Sequence, residues 1–300
     1  MPDAIILSDG IAEAIVRPDL GAGLAAYDLL RDGTRRPLFR RAPEGTADPF
    51  ALACNVLVPW SNRIAGGGFS FGGRFHRLAP NLPGEPFPIH GNGFQSAWRV
   101  AAATAQSVTL ALASDGPGPF RYDAVLTYAL AGGALTMRLA VTHRGTGALP
   151  YGLGLHPWLP RTPRTTLHAP AAHVWLEDAR HLPAGHVPVS ARPEWDFSTP
   201  RPLPAAWVNN GFDGWNGRAR VDWPDRGLRL TIAARGGRGD ALRPLSRYLL
   251  YSPAADAAFF CVEPVSHLVD AHNDADPAAA GLFVLAAGDS AAIECDATPG

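Results

Sequence analysis

Lysine is missing altogether: all 26 basic residues are arginine. A chain without lysine has no Schiff-base amine, no P-loop lysine and no Ser–Lys dyad, so those mechanisms fall away. Blocks of one charge are also lacking. The 26 basic and 27 acidic residues leave a net charge of -1, spread without a basic stripe, and no nucleic-acid partner is expected. Cysteine is scarce. Cys54, Cys261 and Cys295 are far apart, odd in number and without CxxC spacing, which argues against a disulfide framework and for a reducing compartment. No apolar run is long enough to cross a bilayer. The start, MPDAIILSDGIAEAIV, has no basic residues ahead of its apolar ones, unlike a secretory signal. The expectation is a cytoplasmic protein with no membrane partner. No long amphipathic helix is visible, because proline and glycine interrupt every candidate. No fixed-period repeat occurs either, which disfavours solenoids and propellers.

What the sequence has instead is many short strands. Glycine (32) and proline (29) exceed a fifth of the chain, yet they are scattered between apolar runs, as turns between strands would be. SVTLALAS (107–114), YDAVLTYAL (122–130) and ALTMRLAVTHR (134–144) read as strands, and so do LRLTIAAR (228–235), RYLLYS (247–252) and AAFFCVEP (257–264). Leu135, Met137, Leu139 and Val141 alternate as in a half-buried strand. The Gly132-Gly133 pair before them reads as a hairpin turn. The Pro-rich stretch 161–204 keeps Trp175, Trp195 and Phe197, so it reads as strands and loops packed on the body rather than a linker. The expectation is one all-β domain over 1–300, a large antiparallel β-sandwich with few short helices.

Four short stretches carry candidate chemistry. In FFCVEPVSHLVD, Glu263 ends an apolar run, either as a rim residue facing water or as a placed carboxylate. In YGLGLHPWLPR, Gly152 and Gly154 leave one strand face bare before His156, and a bare face lets a ligand or another chain segment come close. Pro157 biases His156 towards an extended backbone, and Trp158 follows. A histidine beside an aromatic ring suits a sugar, whose C–H faces stack on such rings. A core histidine bonded to a carbonyl fits the stretch equally well. In PIHGNGF, His90 sits in a turn-rich loop and can be a loop residue only. In VPWSNRIAGG, Arg63 after Asn62 can orient an oxygen-bearing ligand or tie down the loop.

Other chemistries find less support. His168 and His173 are five apart, as are His181 and His186, and no HxH or HxxxH spacing occurs, so no metal ion is expected. A serine nucleophile is poorly supported. A carboxylate and a histidine, with a second histidine and an arginine to hold oxygens, suit proton transfer. Phe259 and Phe260 would raise the Glu263 pKa by burial, and a nearby cation would lower it.

Taken in order, Asn62-Arg63-Ile64, His90-Gly91, Gly152 to Pro157, and Glu263-Pro264 with Asn273 downstream resemble the aldose 1-epimerase (galactose mutarotase) family over essentially the whole chain. The resemblance implies a large antiparallel β-sandwich and a reaction that interconverts the α and β anomers of a free aldose, with a small sugar as partner and no cofactor. It implies Glu263 as the base that takes the C1 hydroxyl proton and His156 as the acid that protonates the ring oxygen. His90 and Arg63, with Asn62 beside it, would position substrate. The family's sugar-holding aspartate, in a pattern like L-D-x-x-F, has no match in VNNGFDGWNG. Asn209 stands at that place, Asp213 offers a carboxylate four residues later, and Asn210 is a third possibility. Three other readings are an epimerase for hexose 6-phosphates, with Arg74 and Arg77 holding the phosphate, a non-catalytic sugar-binding module, and a glycoside hydrolase. The last needs two flanking carboxylates, and only Glu263 is identified. The identity of the sugar and the oligomeric state stay open.

Overall fold

Alternation builds the frame. In a computed structural model, which describes residues 4–300, Tyr122–Ala131 and Ala134–His143 pair in antiparallel register through ten residue pairs, from Tyr122↔His143 to Ala131↔Ala134. Their inward positions, Leu135, Met137, Leu139 and Val141 among them, are fully buried. Gly132 and Gly133, with φ of 59° and 81°, close the hairpin in the left-handed backbone such a tight turn demands. These strands lie within a ten-stranded sheet.

A second sheet of eleven strands faces it. Its centre runs Cys54–Leu57, Gly154–Pro160, Phe259–Pro264, Arg247–Ser252, Val208–Asp213 and His173–Glu177, with Pro183–Pro188 at one edge. Every pairing is antiparallel. One hydrophobic cluster runs through both sheets, and buried tyrosines stitch them together. The Tyr27 hydroxyl donates to the carbonyls of Gly133 and Ala297, and Tyr128 donates to Ala22. Helix is confined, among the described residues, to short 3-10 turns. The stretch 161–204 holds strands at Thr166–His168, His173–Glu177, Pro183–Pro188 and Arg201–Pro202, joined by long loops.

The centre of the larger sheet differs from the alternating strands. Cys54–Leu57 is buried at every position, and Gly154–Pro160 and Phe259–Pro264 at all but one. One face of these strands meets the other sheet, and the opposite face is roofed by loops. Polar side chains on the roofed face are therefore withdrawn from bulk water without lying in the core.

Candidate active site

The register of two neighbouring strands creates the central pair. Trp158 pairs with Cys261 and Gly154 bridges Val265, so the same register sets His156 directly opposite Glu263. Opposed residues on an antiparallel pair project from the same face. His156 Nε2 lies 3.2 Å from Glu263 Oε1, and both side chains are buried. His156 Nδ1 and Glu263 Oε2 have no hydrogen-bond partner among the described residues.

Burial decides the charge of the pair. It raises the Glu263 carboxyl from 4.5 to about 8, against a smaller opposing pull from Arg63. It lowers the His156 imidazole from 6.5 to about 3. Between those limits the carboxyl is protonated and the imidazole neutral, the two 3.2 Å apart. Trp158 stacks on the imidazole, ring centroids 4.8 Å apart at 21°, and the Arg40 guanidinium lies 4.1 Å over the indole. The indole N–H donates to Asn55 Oδ1. Trp158 thus fixes the orientation of His156.

Two loops supply the facing wall. The Asn62 N–H donates to His90 Nδ1 at 3.0 Å, and the His90 N–H returns a bond to the Asn62 carbonyl. An accepting Nδ1 puts the imidazole proton on Nε2, and burial holds this ring neutral, well below its usual pKa. His90 therefore offers a fixed N–H donor. Its ring meets that of His156 edge-on, centroids 5.6 Å apart. Arg63 makes a two-pronged ion pair with Glu85, through Nε at 3.0 Å and Nη2 at 2.8 Å. Asn62, His90 and His181 all line the cleft and have φ near +60°, where side-chain-bearing residues are uncommon.

The cleft has a volume of about 230 Å³ and opens to solvent. Sequence reasoning missed most of its far rim. Glu177 accepts from the Trp207 indole at 2.6 Å and from Asn209 Nδ2 at 2.8 Å, and contacts His181 Nδ1 at 2.8 Å. Trp207 packs edge-on against Tyr251, and both line the cleft with Phe50. These aromatic side chains are the apolar surface available to a ligand. A hint existed in the stretch 173–181, rich in polar and aromatic residues, but no motif singled it out.

The expected site residues divide. His156, Glu263, Asn62, Arg63, His90 and Asn209 all line this one cleft. Asp213 does not. It shares a strand face with Asn209 but lies four residues on, about 13 Å along the strand, where it takes bonds from Trp175 and His186. Asn210 points to the opposite face, buried and bonded to the Trp175 carbonyl. Asn273 ties Asp270 to the loop at Ala65. Arg74 lines a separate hollow with Phe71 and Arg121.

The bare strand at Gly152 and Gly154 admits another chain segment, one of the two uses expected of it. A Cβ at Gly152 would come within 2.1 Å of the His267 ring, and one at Gly154 within 3.1 Å of Val265. The protein itself fills that space. His267 Nε2 accepts from the Ser61 N–H, which anchors the loop carrying Asn62 and Arg63.

Cys261 lies beside the pair, its donor atom within 4.8 Å of those of His156 and Glu263. Burial pushes this thiol well above its usual pKa. A thiol held protonated is a weak nucleophile, so the arrangement fits proton exchange better than covalent catalysis by this cysteine.

A family model described as Aldose 1-epimerase matches residues 3–295. Among curated proteins, YphB of Escherichia coli K12, itself uncharacterized, is 35% identical over 248 residues, covering 81% of this chain and 82% of YphB. A crystal structure from Escherichia coli K12, provisionally named an aldose 1-epimerase, superposes with a TM-score of 0.88 at 30% identity, over 99% of both chains. A galactose mutarotase-like protein from Clostridium acetobutylicum shares the fold, with a TM-score of 0.82 at 16% identity over 99% of this chain and 95% of that one.

Proposed function

This chain belongs to the aldose 1-epimerase family, and from that premise we propose that it interconverts the α and β anomers of a free, unphosphorylated aldose. The observation that carries the reading is the buried pair His156–Glu263, 3.2 Å apart, with the carboxyl shifted up to about 8 and the imidazole down to about 3. Anomerisation asks for that chemistry. The C1 hydroxyl must lose a proton while the ring oxygen, one carbon away, gains one.

In this reading the reactive form has Glu263 ionised and His156 protonated, reached by passing the carboxyl proton to the imidazole across their contact. Glu263 takes the proton from the C1 hydroxyl. The C1–O5 bond breaks, its electrons pass to the ring oxygen, and His156 protonates that oxygen. A carbonyl forms at C1, and the pair is left as a neutral carboxyl and a neutral imidazole. Burial favours that form of the pair, so the cost of forming the ion pair is recovered as the ring opens. Rotation about C1–C2 presents the other face, and the steps reverse. His90 Nε2–H and Asn209 offer bonds to sugar hydroxyls, and the cleft's aromatic side chains can cover C–H faces.

The preference for a neutral sugar rests on charge. Arg63 is already engaged by Glu85, and Glu177 adds a second carboxylate at the rim. A phosphate dianion would meet these carboxylates without a free cation among the described residues of the cleft to answer them.

Polarimetry on freshly dissolved α-glucose, α-galactose and α-pentoses tests the proposal. The wild type is expected to accelerate the approach to equilibrium with at least one of them, and His156→Ala to remove the acceleration. Rates equal to buffer for every neutral aldose would reject it. Faster turnover of glucose 6-phosphate than of glucose would reverse the substrate assignment.

Glu177 is a positioning residue in this scheme, since it holds His181, Trp207 and Asn209 at the rim. Glu177→Ala is expected to raise KM roughly tenfold, equivalent to about 1.4 kcal/mol of binding, and to leave kcat within about twofold. Glu177→Gln, which keeps one acceptor oxygen, should recover part of the loss. A fall in kcat at unchanged KM would contradict the assignment.

A further inference from the structure

A second cluster of chemical groups lies outside the cleft, at the edge of the larger sheet. His173 begins the strand His173–Glu177, His186 lies in Pro183–Pro188, and Asp213 ends Val208–Asp213. The register pairs His173 with Asp213 and Trp175 with His186, so four side chains from three strands project from one face. His173 Nδ1 is 3.3 Å from Asp213 Oδ1, and His186 Nε2 is 2.9 Å from Oδ2. One donor atom from each of the three lies within 4.8 Å of the others. The imidazole side chains are 44% and 37% exposed, so an ion in solution can reach them.

We propose that His173, His186 and Asp213 form a binding site for a borderline divalent transition-metal ion such as Zn²⁺. Two imidazole nitrogens and one carboxylate oxygen are a donor set suited to that ion, with a fourth position open to water. Donors at 2.0–2.1 Å from a tetrahedral centre sit about 3.3 Å apart. The observed 3.3 and 2.9 Å run to different oxygens of Asp213, and the three donors lie within 4.8 Å of one another, so the half-exposed imidazoles must turn inward to close on one ion. The outer partner is also present. Trp175 donates its indole N–H to Asp213 Oδ2 at 2.7 Å, the kind of bond that orients a ligating carboxylate, and its ring stacks on His186 at 4.3 Å. The sequence conceals the site, because its ligands come from three strands and register alone brings them together. An ion there would tie the edge strand Pro183–Pro188 to the two strands inside it. The proposal does not depend on the anomerase reading, because none of its three ligands lines the cleft.

Titration calorimetry of the chelator-treated full chain with Zn²⁺ near neutral pH tests the site, with Mg²⁺ as comparison and Trp fluorescence followed in parallel. One Zn²⁺ per chain, no heat with Mg²⁺ and a saturable change in fluorescence are expected. Asp213→Asn preserves an acceptor for Trp175 and should weaken binding at least tenfold. His186→Ala should abolish it. Thermal denaturation without metal shows whether each variant is folded, and Asp213→Asn carries the test if His186→Ala is not. Absence of stoichiometric binding, or equal affinity in the wild type and a folded variant, overturns the proposal.

Discussion

Glu263→Gln is expected to lower kcat for anomerisation by on the order of 10²–10⁴, the usual contribution of a placed general base, and at the same time to stabilise the fold at alkaline pH. The first effect follows from geometry. The amide keeps the size of the side chain and its contact with His156, but it cannot take a proton from the C1 hydroxyl. The second follows from burial. In the folded protein the carboxyl titrates at about 8, against 4.5 when unperturbed. A raised pKa means that the folded state binds the proton more tightly. The stability this contributes is fully present below about 4.5 and is lost as pH rises through about 8. The span is worth at most about 5 kcal/mol at about 1.4 kcal/mol per factor of ten. A glutamine does not ionise, so the variant escapes that loss.

His156 acts in the opposite direction. Its pKa is depressed to about 3, so its contribution is present above 6.5 and lost as pH falls through about 3. Denaturant unfolding of wild type and Glu263→Gln at pH values on both sides of neutrality reads the difference. The gap between them should widen as pH rises from neutrality through about 8. Parallel stability curves would show that Glu263 does not titrate in that range. Unchanged anomerisation in the variant would remove it from the mechanism.

Gly152→Ala is expected to destabilise the protein by about 2–3 kcal/mol, the scale of overpacking at a closed site, and to raise KM. The cause is space, since the new methyl would meet Cδ2 and Nε2 of His267 at 2.1 Å. That ring cannot simply turn aside. It is fully buried, bonded through Nδ1 to the Leu268 carbonyl at 2.6 Å and through Nε2 to the Ser61 N–H at 3.0 Å. Moving it releases Ser61, and with it the backbone that presents Asn62 and Arg63 to the cleft. Gly147→Ala is the control, because a Cβ there meets nothing within 4 Å. Equal midpoints for Gly152→Ala and the control would show that the strand relaxes without cost. A lower midpoint with unchanged KM would sever the link from His267 to the substrate loop.

These two glycine positions show how sequence and structure divide the information. Gly152 and Gly154 were legible as a bare strand face, yet only packing decides what fills it, and it is His267 and Val265 rather than a ligand. Asn209 and Asp213 make the same point. Residues four apart on a strand share a face, so either could be assigned to the sugar, but the length of the strand carries one into the cleft and the other to the edge cluster. Glu177 gave no local signal, because its value lies in meeting His181, Trp207 and Asn209 across strands and loops.

The sequence made the alternating strands legible, since the alternation of apolar and polar residues is a local property that burial on one face imposes. It also determined which chemical groups the chain carries, and it excluded lysine chemistry outright. Only the tertiary structure decided which groups meet and in what charge state. Register set His156 against Glu263, and a protein interior that disfavours charge moved their pKa values in opposite directions. Both effects depend on neighbours more than a hundred residues away, which no local pattern records.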